Sequence, residues 1–126
     1  MLLNWTKRNT AMLLGGSTTD YPAFMMIGSG SGTVVATQVE LIHPADRQAI
    51  TSADNDTTYK VKWIGDWNSV EMSGLGAGNA FPFREWGMCI SGAGTTGSMW
   101  SRTAMPTAIN FDGTTELRIS EQWEVY

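Results

Sequence analysis

Two stretches of this chain alternate apolar and polar residues with a period of two, and that pattern constrains the fold more than any other feature. In "TTYKVKWIGDW", Tyr59, Val61 and Trp63 alternate with Lys60 and Lys62. In "ELRISEQWEVY", Leu117, Ile119, Trp123 and Val125 share one face, while Glu116, Arg118, Ser120, Gln122 and Glu124 share the other. Successive side chains of a strand point to opposite faces, so each stretch predicts a strand with one face buried and one in water. Glu121 interrupts the apolar face of the second stretch. That predicts a face partly open or paired with a neighbour, and makes Glu121 a contact candidate.

Turn signals divide the rest of the chain into further short strands. A turn at Asp20–Pro22 leads into an apolar strand over Ala23–Ile27. "RQAITSA" and "TTYKVKWIGDW" read as two strands joined at Asp54-Asn55-Asp56. "REWGMCIS", with Trp86, Met88 and Ile90 on one face, and "SMWSRTAM" predict a hairpin over residues 84–105 that turns at "GAGTTG". "AINF" and "ELRISEQWEVY" flank Asp112-Gly113, a two-residue hairpin signal. Helix is scarce. A short helix is expected from Thr6 as N-cap to Gly15 as C-cap. "TQVELIHPADR" reads either as one helical turn capped by Thr37, with Val39, Leu41 and Ile42 on one side and Pro44 as its stop, or as a kinked extended segment. Residues 71–83 read as a glycine-rich loop and a candidate contact surface, carrying Leu75, Phe81 and Phe83. With about seven strands and frequent turns, the expectation is a single mainly β domain over residues 1–126, an antiparallel β-sandwich or open barrel with one or two short helices.

Gly28-Ser29-Gly30-Ser31-Gly32 looks at first like a phosphate-cradling loop. A dinucleotide fingerprint needs a third glycine where this chain has Thr33, and a helix where Val34-Val35 follow. A P-loop needs Gly-Lys-Ser/Thr, yet no lysine lies between Lys7 and Lys60. The cluster therefore reads as a tight turn, with Gly28, Gly30 and Gly32 as candidates for close backbone approach at a subunit contact.

Nothing else assembles a catalytic or metal centre. His43 is the only histidine, set between an apolar pair and a proline, and there is no Gly-x-Ser-x-Gly elbow. One histidine and one cysteine do not make a zinc site, and Cys89 reads as a small buried thiol. Asp54-Asn55-Asp56 lacks the remaining ligands of a calcium loop and reads as a solvated turn. No cofactor, metal or small-molecule substrate is expected. The net charge of −4, with only eight Lys and Arg in 126 residues, leaves no basic stripe for nucleic acid. No apolar run approaches the ~20 residues that a membrane span needs, and the start reads as neither signal peptide nor anchor. Six tryptophans and eight methionines are the most unusual counts. Core packing is their first reading, a protein interface the second and sugar stacking the third, with Trp67 in "GDWNS" as the expected exposed exception.

Three blocks together resemble the N-terminal domains of tailed-bacteriophage collar and tail fibre proteins: "IGSGSGTVVATQVELIHPADR", "REWGMCISGAGTTGSMWSR" and "INFDGTTELRISEQWEVY". Gly28, Gly30, Gly32 and Arg47 match the first block, and Glu85 and Gly87 the second. The resemblance implies a β-sandwich virion structural protein, made in the host cytoplasm, that assembles with itself in a symmetric ring and with other virion proteins. A fibre protein would continue into a shaft and receptor-binding tip, whereas this chain stops at Tyr126. A compact tail, collar or baseplate protein is therefore expected. A capsid decoration protein is the runner-up, and a carbohydrate-binding module is the alternative of another class.

Overall fold

The computed structural model describes residues 3, 4, 6, 10, 14–16, 21–55, 60–76, 80–90 and 99–124. Among them run β1 (Phe24–Gly28), β2 (Pro44–Ala49), β3 (Ser52–Asn55), β4 (Lys60–Trp67), α1 (Ser69–Leu75), β5 (Phe81–Cys89), β6 (Met99–Phe111) and β7 (Leu117–Glu124). One sheet has the order β2-β1-β5-β6, the other β3-β4-β7. All pairings are antiparallel. The chain is mainly β and consistent with an open sandwich, as the alternation predicts.

The main core lies between the sheets. Met25, Ile27, Phe83, Met88 and Trp100 of the first meet Trp63, Trp67 and Ile119 of the second. A second cluster of Leu3, Met26, Leu41, Cys89 and Met99 lies on the far face of the four-stranded sheet. That sheet is thus covered on both sides, which explains why β1 is nearly continuous in burial where β7 alternates. The buried Cys89 thiol agrees with its expected structural role.

Five local expectations are corrected. "RQAITSA" is not one strand but parts of β2 and β3, which belong to different sheets. The change of sheet falls at one peptide: Ile50 N–H donates to Ala23 in the first sheet at 2.9 Å, and Thr51 N–H to Ile64 in the second at 2.9 Å. Consequently Asp54 and Asn55 are strand residues of β3 rather than a turn. Asp56 lies outside the described residues, as does the "GAGTTG" turn.

The Asp112-Gly113 signal does mark a turn, with Gly113 at φ +89°, but it does not close a hairpin. β6 pairs with β5, whereas β7 pairs with β4 in the other sheet. Asp112 Oδ1 accepts from Thr114 N at 3.0 Å and from Thr114 Oγ1 at 2.6 Å. This side-chain turn lets residues 112–116 span the gap between sheets.

Residues 71–83 are not one continuous loop: 71–75 belong to α1 and 81–83 open β5, while 77–79 lie outside the described residues. The reason is a capping box. Asn68 Oδ1 accepts from Glu71 N at 2.9 Å while Glu71 Oε2 accepts from Asn68 N at 2.8 Å. The helix then buries Met72 in the core.

Thr6 is already helical, as are Asn4, Thr10 and Leu14, so it is not the N-cap; Gly15 and Gly16 turn the chain as expected. The Thr6 hydroxyl instead donates to the Trp100 carbonyl. "TQVELIHPADR" contains no helical turn: a turn closed by Gln38 N–H to the Val35 carbonyl at 3.1 Å and bends at residues 40, 42 and 43 lead into β2, the kinked extended alternative.

Candidate functional site: a connector clamped by a buried ion pair

β1 and β2 are adjacent antiparallel strands, yet residues 29–43 separate them. A link of this length has to be satisfied by something other than a tight turn, and here a single side chain does it. Glu85 stands opposite Gly28 in the β1–β5 register, on the sheet face away from the main core, and is fully buried. Its Oε1 accepts from the N–H groups of Gly30 at 2.9 Å and His43 at 2.8 Å. Its Oε2 accepts from Ile42 N–H at 3.1 Å and Arg102 Nε at 2.9 Å.

Arg102 comes from β6, where it faces Gly87, and is likewise fully buried. Its Nη1 reaches back to the connector, to the Gly32 carbonyl at 3.4 Å and Gln38 Oε1 at 3.3 Å. Both ends of the connector, and its middle, are therefore tied to one ion pair. Ser29 N–H to the His43 carbonyl closes the neck at 3.1 Å.

The glycines make this approach possible. A Cβ on Gly28 would overlap the His43 carbonyl oxygen and the Glu85 carboxylate. One on Gly30 would overlap Glu85 Oε1, with Ile42 Cβ at 2.7 Å. The glycine cluster does not cradle a phosphate; one of its N–H groups, that of Gly30, joins those of Ile42 and His43 on the chain's own Glu85 carboxylate. Gly28 and Gly30 are buried, so their close approach is within the chain; Gly32, at φ +130°, is exposed.

Burial pushes the Glu85 carboxyl up, but the His43 N–H, the Arg102 guanidinium and the Ile42 N–H outweigh it and hold the group below the ordinary glutamate range. A folded-state pKa below the unfolded value means stability present above the unfolded value and lost as pH falls through the folded one. The clamp's contribution is thus complete well above 4.5 and declines as pH drops below it. Urea denaturation of the parent and of Glu85→Gln at stepped pH should show their stability difference shrinking over that acid range. A constant difference would count against the clamp.

The clamped connector carries three exposed aliphatic side chains. Val35, Val39 and Ile42 are 46%, 54% and 41% exposed, on a backbone fixed at Gly30, Ile42 and His43. His43 contributes through its main chain, while its side chain is exposed.

The other contact candidates lie elsewhere. Phe81 and Phe83 are in the main core, and Leu75 is half-buried against it. Trp67 is not the exposed exception: it falls on the inward phase of β4 and is 1% exposed, with its Nε1 donating to Asp46 Oδ2 at 3.0 Å. Trp63 and Trp100 are also buried, and Trp86 and Trp123 pack against the same core, as the core-first reading expects. Trp5 lies outside the described residues. Glu121 is half-buried on the inner face of β7, with Oε1 accepting from Trp123 Nε1 at 2.9 Å.

A cleft of about 280 Å³ beside Trp67 is lined in part by Asp66, Glu116 and Arg118. Arg118 Nε donates to Asp66 Oδ1 at 2.6 Å, and that bond holds the Asp66 carboxyl below its ordinary range. Among the described residues no group of three His, Cys, Asp or Glu side chains could hold a metal. No helix among them is long and apolar enough to cross a membrane.

Glu85 stands out in the sequence only as a matched position of the second resembling block, and Arg102 not at all; both are charged residues at positions where β5 and β6 face a covered side of the sheet. Their opposite charges became informative only once that face was known to be buried. No protein-family model matches this chain, and no curated protein matches it.

Proposed function

We propose that this chain is a non-enzymatic structural protein of a tailed-bacteriophage virion, in the tail, collar or baseplate, acting by docking onto copies of itself and onto other virion subunits. The observation that carries the reading is the fixed display of Val35, Val39 and Ile42 on the clamped connector. Aliphatic side chains held in water favour a partner that covers them. A backbone already ordered by the Glu85–Arg102 pair loses little further freedom on binding, which is where docking surfaces gain affinity. The same connector is the first of the three blocks that resemble collar and tail fibre domains.

The test is a triple variant, Val35→Ser, Val39→Ser and Ile42→Ser, which leaves the main core and the clamp's backbone donors in place. Sedimentation should show the parent self-associated and the folded triple variant shifted to monomer. Antibody labelling of intact particles should mark the tail or its junction with the head. Label across the shell would favour a decoration protein, and absence from particles would overturn the virion reading.

A further inference from the structure

β7 is an edge strand that pairs only with β4 among the described residues, over all eight of its positions. Such an edge presents unpaired backbone groups and is a template for a strand from another molecule. The other edges are each interrupted. β2 begins with Pro44 and loses register beside Gly28; β3 has four residues; β6 contains Pro106 within a register shift between Phe83 and Glu85 of its partner. β7 has no proline, glycine or register shift. What it has is Glu121 on its inner face, between Ile119 and Trp123 and opposite Trp63. Its Oε2 is buried with no hydrogen-bond partner among the described residues.

We propose that Glu121 guards this edge against pairing with the β7 of a second copy. Among antiparallel registers that pair most of the strand, the charges along β7 favour one. Centring it on residue 121 sets the exposed Arg118 of each copy, which also holds Asp66 of its own chain, opposite the exposed Glu124 of the other, and Ser120 opposite Gln122. Centring it on residue 120 instead sets Glu116 opposite Glu124 and loses both attractive pairs. The favoured register brings Glu121 against its own counterpart on the inner face. There two carboxylates would meet beside Trp123, each with an Oε2 already buried and without a hydrogen-bond partner among the described residues. Opposite charges directly across a strand pair attract and like charges repel. One inward carboxylate therefore vetoes the register that the outer charges favour.

The inference rests on β7 alone and stands or falls apart from the virion reading. Its test is sedimentation velocity on the folded parent, Glu121→Gln and Glu121→Val, each also carrying Arg118→Glu with and without Glu124→Arg. Gln keeps the size of the side chain and a hydrogen-bond acceptor for Trp123, so it reports even where Val disturbs folding. Both Glu121 variants should add one association step beyond the parent, doubling its mass, with a dissociation constant at least about tenfold lower. Arg118→Glu should abolish that step, and adding Glu124→Arg should restore it. Folded Gln and Val variants that keep the parent's mass would overturn the proposal. So would a step indifferent to Arg118→Glu, or a parent already paired in an Arg118-dependent way.

Discussion

Arg102→Met is expected to lower the free energy of unfolding by about 3–5 kcal/mol, the range for leaving one charge of a buried pair without its partner. Met occupies similar space along the side chain, so the cost falls on Glu85 rather than on packing. Glu85 is fully buried and would keep only the three backbone N–H groups of Gly30, Ile42 and His43 as donors. The connector would also lose the Arg102 contacts to Gly32 and Gln38. Adding Glu85→Gln to Arg102→Met removes the orphaned charge and should recover part of the loss, since Gln still offers an acceptor. Urea denaturation of the two single variants and the double variant measures this coupling. An Arg102→Met protein within about 1 kcal/mol of the parent would show that the ion pair does not hold the connector.

Gly30→Ala carries the second large effect, a loss of about 2–4 kcal/mol, from overpacking together with displacement of a buried N–H from its acceptor. The added methyl group would overlap Glu85 Oε1, with the His43 nitrogen at 2.8 Å. None of these atoms is the loose end of a flexible side chain: the carboxylate is fixed by four donors and the nitrogen is main chain. The variant should also loosen the connector, so amide exchange at Ile42 and His43 should accelerate more than exchange in β4. Gly74→Ala is the control, because a Cβ there meets nothing within 4 Å. In the last turn of α1 it should stabilise by at most about 0.5–1 kcal/mol. Equal effects of the two substitutions would refute the close approach at Gly30.

Strands were legible wherever one face meets water. β4 and β7 follow the alternation of their sequences, with Trp63 and Ile119 inward and Lys62 and Arg118 outward. The β5–β6 hairpin was legible too, and extends beyond the expected residues 84–105 in both directions. Partner choice was less legible. "RQAITSA" and the Asp112-Gly113 link each carry a turn or strand signal of the right type, but at both places the chain changes sheet. A short-range pattern encodes conformation and facing; it does not say which strand will lie alongside. The helix α1 is a different case, since "NSVE" is a readable capping box that the glycines around it obscured.

The sequence by itself determined the period of the strands and their inward faces, and marked Gly28, Gly30 and Gly32 for close backbone approach. Tertiary structure replaced the expected tight turn by the start of a long connector and decided what the glycines approach. Gly30 and Glu85 are 55 residues apart, and they meet because β1 and β5 pair in a register that sets Gly28 opposite Glu85. A carboxylate in water needs no glycine loop. One buried beneath a connector needs donors from whatever backbone can come within hydrogen-bond distance, and only residues without a Cβ leave room for it at Gly28 and Gly30.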